Sequence, residues 1–376
     1  MRETSVRCPV IAVPDIPVAD PGELRPLLDR LADPVPVRAA EEFPRGTLCS
    51  DGRVDLCKQG LGPEGARRLL PAATASAHTR HLLLGTNAIA DTGAHAVADS
   101  LSPRHGVTTL YLGCNRITAE GAGTLAAALE PDRTVRALWL KRNPIGDEGV
   151  TALAAALRHN TAIRTLDLVN TGVRREGLSA LLDALTARPE PIERLYLGGN
   201  GLGADSADVL AALLAQGGVR ELYLAANHLG DEGVARLAAA ADPARPVRLG
   251  LGGNGIGPRG AAALADSLAG VRTLDLSRPP SQHALGAPGN TTGDDGACAL
   301  AEALPGSPIR RLALQHTGIT GRGATRVLLG ITADTRLEYV GLGSGVPRRV
   351  KREVRRRLRP AGGPPADVRA ISSVYR

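Results

Sequence analysis

The chain repeats itself. From Val135 to Leu157 it reads VRALWLKRNPIGDEGVTALAAAL, and the same order of apolar, asparagine and glycine positions returns along most of the 376 residues. A fixed period constrains the fold more than any single motif does, because each unit is one supersecondary element that can bury its apolar side only against its neighbours. With the second apolar position of each unit as a ruler, the units fall at Val54, Leu82, Leu110, Leu138, Leu166, Leu195, Leu222, Leu249, Leu274, Leu312 and Val340. Successive spacings are 28, 28, 28, 28, 29, 27, 27, 25, 38 and 28. One step, from Leu274 to Leu312, breaks the period.

Inside each unit the two secondary-structure periods follow one another. The L-x-L alternation predicts a short strand with both leucines on one side, and the following G-x-x-A-L-A-x-A-L has the 3.6-residue apolar spacing of a helix. Asn87, Asn115, Asn143, Asn200, Asn227 and Asn254 share one column at the strand exit. Their amides can bond backbone groups that stacking would otherwise leave buried and unpaired, so the column is predicted to be structural. This pattern resembles the leucine-rich repeat family, and its period with a helix in every unit is similar to the ribonuclease-inhibitor-like subclass. The resemblance covers roughly residues 50 to 358. It implies an α/β fold: a curved solenoid of about eleven repeats, with a parallel sheet on the concave face and helices on the convex face.

The repeat settles the meaning of a stretch that otherwise suggests an enzyme. Residues 60 to 65 read GLGPEG, between the apolar Val54-Asp55-Leu56 and a helix-like run, which is the local context of a dinucleotide-binding loop. Gly62, however, lies in the column of Gly146, Gly203, Gly230, Gly257 and Gly293, and Gly65 in that of Gly93, Gly121, Gly149, Gly177, Gly233, Gly260, Gly296 and Gly323. These are turn and helix-start residues of every unit, so no nucleotide site and no cofactor are expected. Asp147-Glu148 and Asp231-Glu232 read as helix-start acids, favourable near free N–H groups. No Ser/His/Asp, Cys/His, metal-ligand or paired-carboxylate arrangement rises above the repeat background, and a non-enzymatic protein is expected.

Composition bounds the setting. Phe, Trp and Tyr together number seven, so the core is one of ranked leucines. No run of about 18 apolar residues occurs, and the Pro-broken N-terminus is a poor signal-peptide core. Cys8, Cys49, Cys57, Cys114 and Cys298 are odd in number and lack metal spacing, as suits reduced thiols in a cytoplasmic protein. The net charge of +7 sits in one place: residues 346–359, VPRRVKREVRRRLR, hold eight basic side chains and one acid. The expected organisation is an N-terminal cap over 1–50 with one short helix from Pro21 to Leu31, a solenoid over 51–345, a basic amphipathic capping helix over 346–359, and a loose tail over 360–376.

Function is sought where units differ. The column between the two strand leucines holds Tyr111, Trp139, Tyr196 and Tyr223, four of the seven aromatics. Alternation turns this column away from the leucine core, which predicts an aromatic stripe about 20–25 Å long in the concave groove. The next positions are small in several units (Gly113-Cys114, Gly198-Gly199, Ala225-Ala226, Gly252-Gly253) but are Lys141-Arg142 in one, so a shallow trough beside the aromatics is expected. Asp167, Arg194 and Glu221 supply polar selectivity. Aromatic anchors with a few charges are the usual make-up of an interface hot spot. The expected function is therefore a scaffold that binds a protein partner through Tyr111, Trp139, Lys141, Arg142, Asp167, Arg194, Tyr196, Glu221 and Tyr223. Two further surfaces stand out. SRPPSQHALGAPG is inserted after Leu276, on the groove rim, with His283 its titratable group. In the basic helix, Val346, Val350, Val354 and Leu358 form one apolar stripe, and Arg348, Arg349, Lys351, Arg352, Arg355 and Arg356 could meet an anionic partner such as nucleic acid or an acidic surface. The family resemblance adds a role similar to its GTPase-regulating or nuclease-inhibiting members.

Overall fold

The computed structural model describes residues 16–101, 103–279, 282–363 and 366–372. Residues 1–15 of the expected cap, Cys8 with them, Pro280-Ser281 of the insertion, and 364–365 and 373–376 of the tail lie outside the described residues. The chain divides into two compact units, one comprising residues 10–192 with 364–376 and the other comprising residues 193–363 with 1–9.

In the first unit a 3-10 turn, Pro21–Leu24, runs into helix α1, Arg25–Ala32. Leu24, Leu27 and Leu31 bury against the first repeat helix. A small antiparallel ribbon, β1 (Glu41–Glu42) and β2 (Thr47–Leu48), pairs with β3 (Arg53–Asp55). From there strands and helices alternate: α2 Gly62–Ala75, β4 His81–Leu83, α3 Ala90–Ser100, β5 Thr109–Tyr111, α4 Ala119–Leu129, β6 Ala137–Trp139, α5 Gly146–Leu157, β7 Thr165–Asp167 and α6 Arg175–Ala187. The pairing is parallel, with Val54, Leu82, Leu110, Leu138 and Leu166 directly opposite one another.

The second unit continues the scheme with β8 Arg194–Tyr196, α7 Ala207–Ala215, β9 Glu221–Tyr223, α8 Gly230–Ala239, β10 Val247–Gly250, α9 Pro258–Asp266, β11 Val271–Asp275, α10 Gly293–Glu302, β12 Arg311–Ala313, α11 Gly321–Gly330, β13 Tyr339–Gly341 and α12 Arg348–Arg357. Leu195, Leu222, Leu249, Leu274, Leu312 and Val340 pair in register. The ruler read from the sequence is the strand register. Strands stack at about 4.8 Å while packed helices need about 8–10 Å, so each unit bends with its sheet inside. Both are leucine-rich-repeat solenoids.

Two ladders of side chains join one repeat to the next. The asparagine column is the first. Asn143 donates from Nδ2 to the carbonyls of Leu112 (2.9 Å) and Leu140 (2.9 Å), and its Oδ1 accepts the amides of Asn115 (2.9 Å) and Ile117 (3.0 Å). Asn115, Asn227 and Asn254 repeat the scheme. Asn290, beyond the insertion, fills the column of its own unit, bonding Leu251 and Leu276 and accepting from Asn254 and Ile256. Where the column holds threonine instead, Thr171 and Thr317 donate to Leu168 and Leu314.

The second ladder corrects one expectation. Asp147 and Asp231 do not serve their own helices alone; each reaches into the following repeat. Asp147 Oδ1 accepts the amides of Arg174 (2.7 Å) and Gly177 (2.9 Å), and Asp231 Oδ1 those of Gly257 (2.7 Å) and Gly260 (2.9 Å). Asp91 caps Thr118 and Gly121, and Asp294 caps Thr320 and Gly323, in the same way. A Cβ at Gly121, Gly177, Gly260 or Gly323 would collide with the capping oxygen, which is why those four positions are glycine. The preceding column has another cause: Gly62, Gly146, Gly230 and Gly293 turn with φ between +58° and +64°.

The insertion folds back on the unit before it. Gln282 is buried, its side chain lies against Gly253 and Gly289, and Gly255 donates to the Pro288 carbonyl (3.1 Å). His283 is exposed. At the other end, buried Val346 and Val354 seat α12 on α11, while Arg357 and Arg359 donate to carbonyls at and just after the end of α11: Leu328, Ile331 and Ala333. The tail is not loose throughout, since Ala366–Ala370 form a short helix, α13, and Ala370 and Ile371 are buried.

These ladders predict two stability effects. Asn143→Ala strands three buried backbone partners, the Leu140 carbonyl and the Asn115 and Ile117 amides, while the Leu112 carbonyl keeps its bond from Asn115, and lowers the unfolding free energy by about 3 kcal/mol or more, whereas Asn143→Thr, which copies positions 171 and 317, costs clearly less; denaturant midpoints read both. The Asp294 carboxyl is held below the usual carboxylate range, first by the Thr320 hydroxyl. A depressed folded pKa contributes stability above about pH 4 that is lost as pH falls through the folded value, so Asp294→Asn flattens acid-side melting curves. An unchanged curve would remove the cap from the account.

Candidate functional site

The column singled out in the sequence lies on the outward sheet face, as alternation requires, but it is not one open stripe. In the first unit it is covered. Trp139 is 0% exposed and Tyr111 3%. Leu83 and Asp167 beside them are buried as well, as is Lys141, while Arg142 is half-exposed. The Tyr111 ring lies where a Cβ on Gly85 would stand, and the Lys141 stem runs within 3.0 Å of that position on Gly113. Burial shapes the chemistry here: it pushes the Tyr111 phenol up and the Lys141 ammonium down from their ordinary values.

The small residues beside the aromatics have backbone reasons for their size. Cys114, Arg142 and Ala226 have φ near +55° to +59°, and Gly199 and Gly253 occupy the same left-handed turn. At Gly198 and Gly252 a Cβ would strike the next strand's carbonyl, of Ala225 or Ser277. Tight backbone stacking accounts for glycine at these two positions.

In the second unit the column is partly open. Tyr196 and Tyr223 stack with ring centroids 4.4 Å apart and planes 10° from parallel. Tyr196 is 9% exposed and Tyr223 more so. The Tyr223 hydroxyl donates to Glu221 Oε2 (2.9 Å), and Glu221 also faces Arg194 (3.3 Å) and Arg248 (3.6 Å). Sequence reasoning missed Arg248, because its unit is one residue short between valine and leucine and the register shifts there. Further along the same face, Arg311 lies over the Tyr339 ring at 4.5 Å, and Gln315 donates to the Tyr339 hydroxyl (2.7 Å). Arg272 is exposed, with the neighbouring Arg310 and Arg248 adding to burial in lowering its pKa. The face thus offers aromatic rings rimmed by arginines that share two glutamates, Glu221 and Glu338.

The basic helix forms a separate surface. Arg348, Arg349, Arg352, Arg355 and Arg356 are exposed, and Lys351 is half-buried. Glu353 pairs with Arg356 (3.5 Å) and Arg357 (3.8 Å). Among the described residues, Arg348, Arg349, Arg352 and Arg355 make no ion pair. Also among the described residues, no cluster of His, Cys, Asp and Glu could hold a metal ion, and no helix is long and apolar enough to cross a membrane.

Comparison with known proteins agrees with this fold. Residues 107–126, 132–154, 219–238 and 247–265 match the family described as Leucine Rich repeat. Among solved structures, the Rad7–Elc1 complex of yeast is similar with a TM-score of 0.54 at 14% identity, covering 90% of this chain and 81% of that one. The leiomodin-1 actin-binding site 2 matches at 19% identity over 44% of this chain and 88% of that one, with a TM-score of 0.35. The tropomodulin C-terminal domain of Caenorhabditis elegans matches at 14% identity over 56% and 90%, with a TM-score of 0.26. No curated protein sequence matches significantly.

The burial predicts a tyrosine titration. Tyr223 is also pushed up, by burial first and by Glu221 second, so neither it nor Tyr111 ionises at the ordinary value of about 10. The raised folded values favour the native state below that pH and lose the advantage as pH climbs towards them. Ultraviolet titration of the native protein then falls short of its five tyrosines, and Tyr223→Phe leaves the native step unchanged. A full step in the folded protein would contradict the burial.

Proposed function

We propose that this protein is a non-enzymatic scaffold that binds a protein partner on the outward sheet face, and that Tyr196, Tyr223, Arg194 and Glu221 form the accessible centre of that surface. The observation that carries the reading is the stacked, partly exposed tyrosine pair ringed by arginine and glutamate, on a fold whose other columns are accounted for by stacking. Two rigid rings offer contact area at low entropic cost, and the bridged charges set selectivity. In the first unit, taken by itself, Tyr111, Trp139, Lys141, Arg142 and Asp167 hold the corresponding positions and are proposed as its partner-binding residues. The steady ~28-residue period with a helix in each repeat supports the ribonuclease-inhibitor-like subclass, and with it a role in regulating an enzyme such as a GTPase or nuclease. The described cysteines are all unpaired, which favours a reducing compartment such as the cytoplasm.

A second reading has its own observation, the exposed unpaired arginines of α12. They suit an anionic partner, nucleic acid or an acidic surface, beside the capping role that the helix already fills.

Affinity capture from native lysate separates the two. Tyr196→Ala/Tyr223→Ala should lose the partner, while Arg348→Glu/Arg349→Glu/Arg352→Glu/Arg355→Glu keeps it, and the captured complex should survive moderate salt. Loss only in the helix variant, with steep salt dependence, would transfer the function to α12.

A further inference from the structure

Near the starts of β10, β11 and β12, the second unit gathers positive charge that its own acids do not balance. Arg248 lies on β10, Arg272 on β11, Arg310 just before β12 and Arg311 on it. Two of the four are paired: Arg248 faces Glu221 (3.6 Å) and Arg310 faces Glu338 (2.7 Å). Among the described residues, Arg272 and Arg311 make no ion pair, and both are exposed. Asp275, the acid on β11, is held by the Ser277 amide and hydroxyl instead.

The backbone sets these side chains together. The Arg310 amide donates to the Arg272 carbonyl (2.8 Å), so the two residues are lateral neighbours. Val247 pairs with Val271 and Arg248 with Thr273, which leaves Arg272 as the extra residue of a register shift with nothing opposite it. Such bulges re-aim a side chain and are frequent beside functional sites. Loss of hydration comes first among the causes that lower the Arg272 pKa, and the like charges of Arg310 and Arg248 come next, offset only in part by Glu338 and Glu221. Like charges on neighbouring strands destabilise a sheet. An arginine cluster left in excess is therefore a cost to the free protein that an anionic partner would relieve. The cluster is also continuous with the tyrosine pair, because Glu221 pairs with Arg248 and accepts the Tyr223 hydroxyl.

We propose that the protein partner lays an acidic segment, an extended stretch bearing Asp or Glu side chains, across β10–β12, with its carboxylates taken by Arg272 and Arg311 and with Arg248 and Arg310 beside them. The proposal rests on the reading that this face binds a protein, and adds the chemistry of that protein. Strands stack at about 4.8 Å, so three of them span about 10 Å, the reach of three or four extended residues. A guanidinium fork matches a carboxylate through two parallel hydrogen bonds, and stacking over Tyr339 already orients that of Arg311. Nucleic acid suits the arrangement less, because Glu221 and Glu338 interrupt the track a phosphate backbone would follow, and Arg311 rather than a base lies over Tyr339.

Fluorescence anisotropy on the full chain tests this with three probes: a short labelled peptide of alternating Glu and Ser, the same peptide with Gln for Glu, and a single-stranded oligonucleotide of matched charge. Arg348→Glu/Arg349→Glu/Arg352→Glu/Arg355→Glu removes competition from α12. In that background the Glu peptide should bind and the Gln peptide should not. Adding Arg272→Ala/Arg311→Ala should weaken binding about tenfold or more, the loss of at least one charge-assisted hydrogen bond. Arg272→Ala alone removes no ion pair and should weaken it several-fold, which keeps the test valid if loss of the Arg311 stack costs stability. The proposal is overturned if the Glu peptide does not bind, if both arginine variants bind it unchanged while melting cooperatively, or if the oligonucleotide binds more tightly. Partner capture separates this result from the binding face itself. Capture lost in Tyr196→Ala/Tyr223→Ala but kept in Arg272→Ala/Arg311→Ala would overturn the acidic segment and leave the face standing, whereas capture kept in the tyrosine variant would remove the face.

Discussion

The buried asparagine amide is the interaction on which the rest depends. A solenoid turns its chain sharply at the end of every strand, and each turn leaves amides and carbonyls facing the next turn with no water between them. Left unpaired, each would cost about 1–3 kcal/mol. Asn143 and Asn290 each meet two carbonyls and two amides across the junction, so the side chain does for the turn what the ladder does for the strand. The aspartate caps perform the matching task on the helix side, where Asp91, Asp147, Asp231 and Asp294 close the first turn of the following helix. Leucine burial supplies attraction between repeats, but it is non-directional. The asparagine and aspartate ladders give the stack its register.

Register in turn decides what each face can present. Because leucines occupy alternate strand positions, the intervening residues form columns whose members are strand neighbours. In one unit this brings Tyr196 against Tyr223 and places Glu221 between Arg194 and Arg248. In the other it sets Trp139 beside Tyr111 and Asp167, on a face that is closed rather than open. The same geometry yields a partly accessible column in one unit and a buried one in the other.

Much of this was legible in the sequence, and the limits have physical causes. Strand positions, the asparagine column and the basic capping helix could be read because a period superimposes eleven copies of one environment. The purpose of the glycine columns could not, since Gly177 is small on account of an aspartate 30 residues earlier, and only the packed helices show that contact. The positive φ of Cys114 and Ala226 could not be read either, since neither residue type signals it. Alternation told which way Trp139 points but not that the position is buried. Arg248 was missed because a local shift in register hides its column.

Amide hydrogen exchange resolved to single residues tests the interlocking of repeats most directly. Asn115, Ile117 and Gly121 sit at turns or a helix start, where amides ordinarily exchange fast, yet they donate to Asn143 and Asp91. The account predicts protection matching that of the flanking helix interiors, and its loss at Asn115 and Ile117 in Asn143→Ala with the strands still protected. Fast exchange at these amides in the wild-type protein would contradict it.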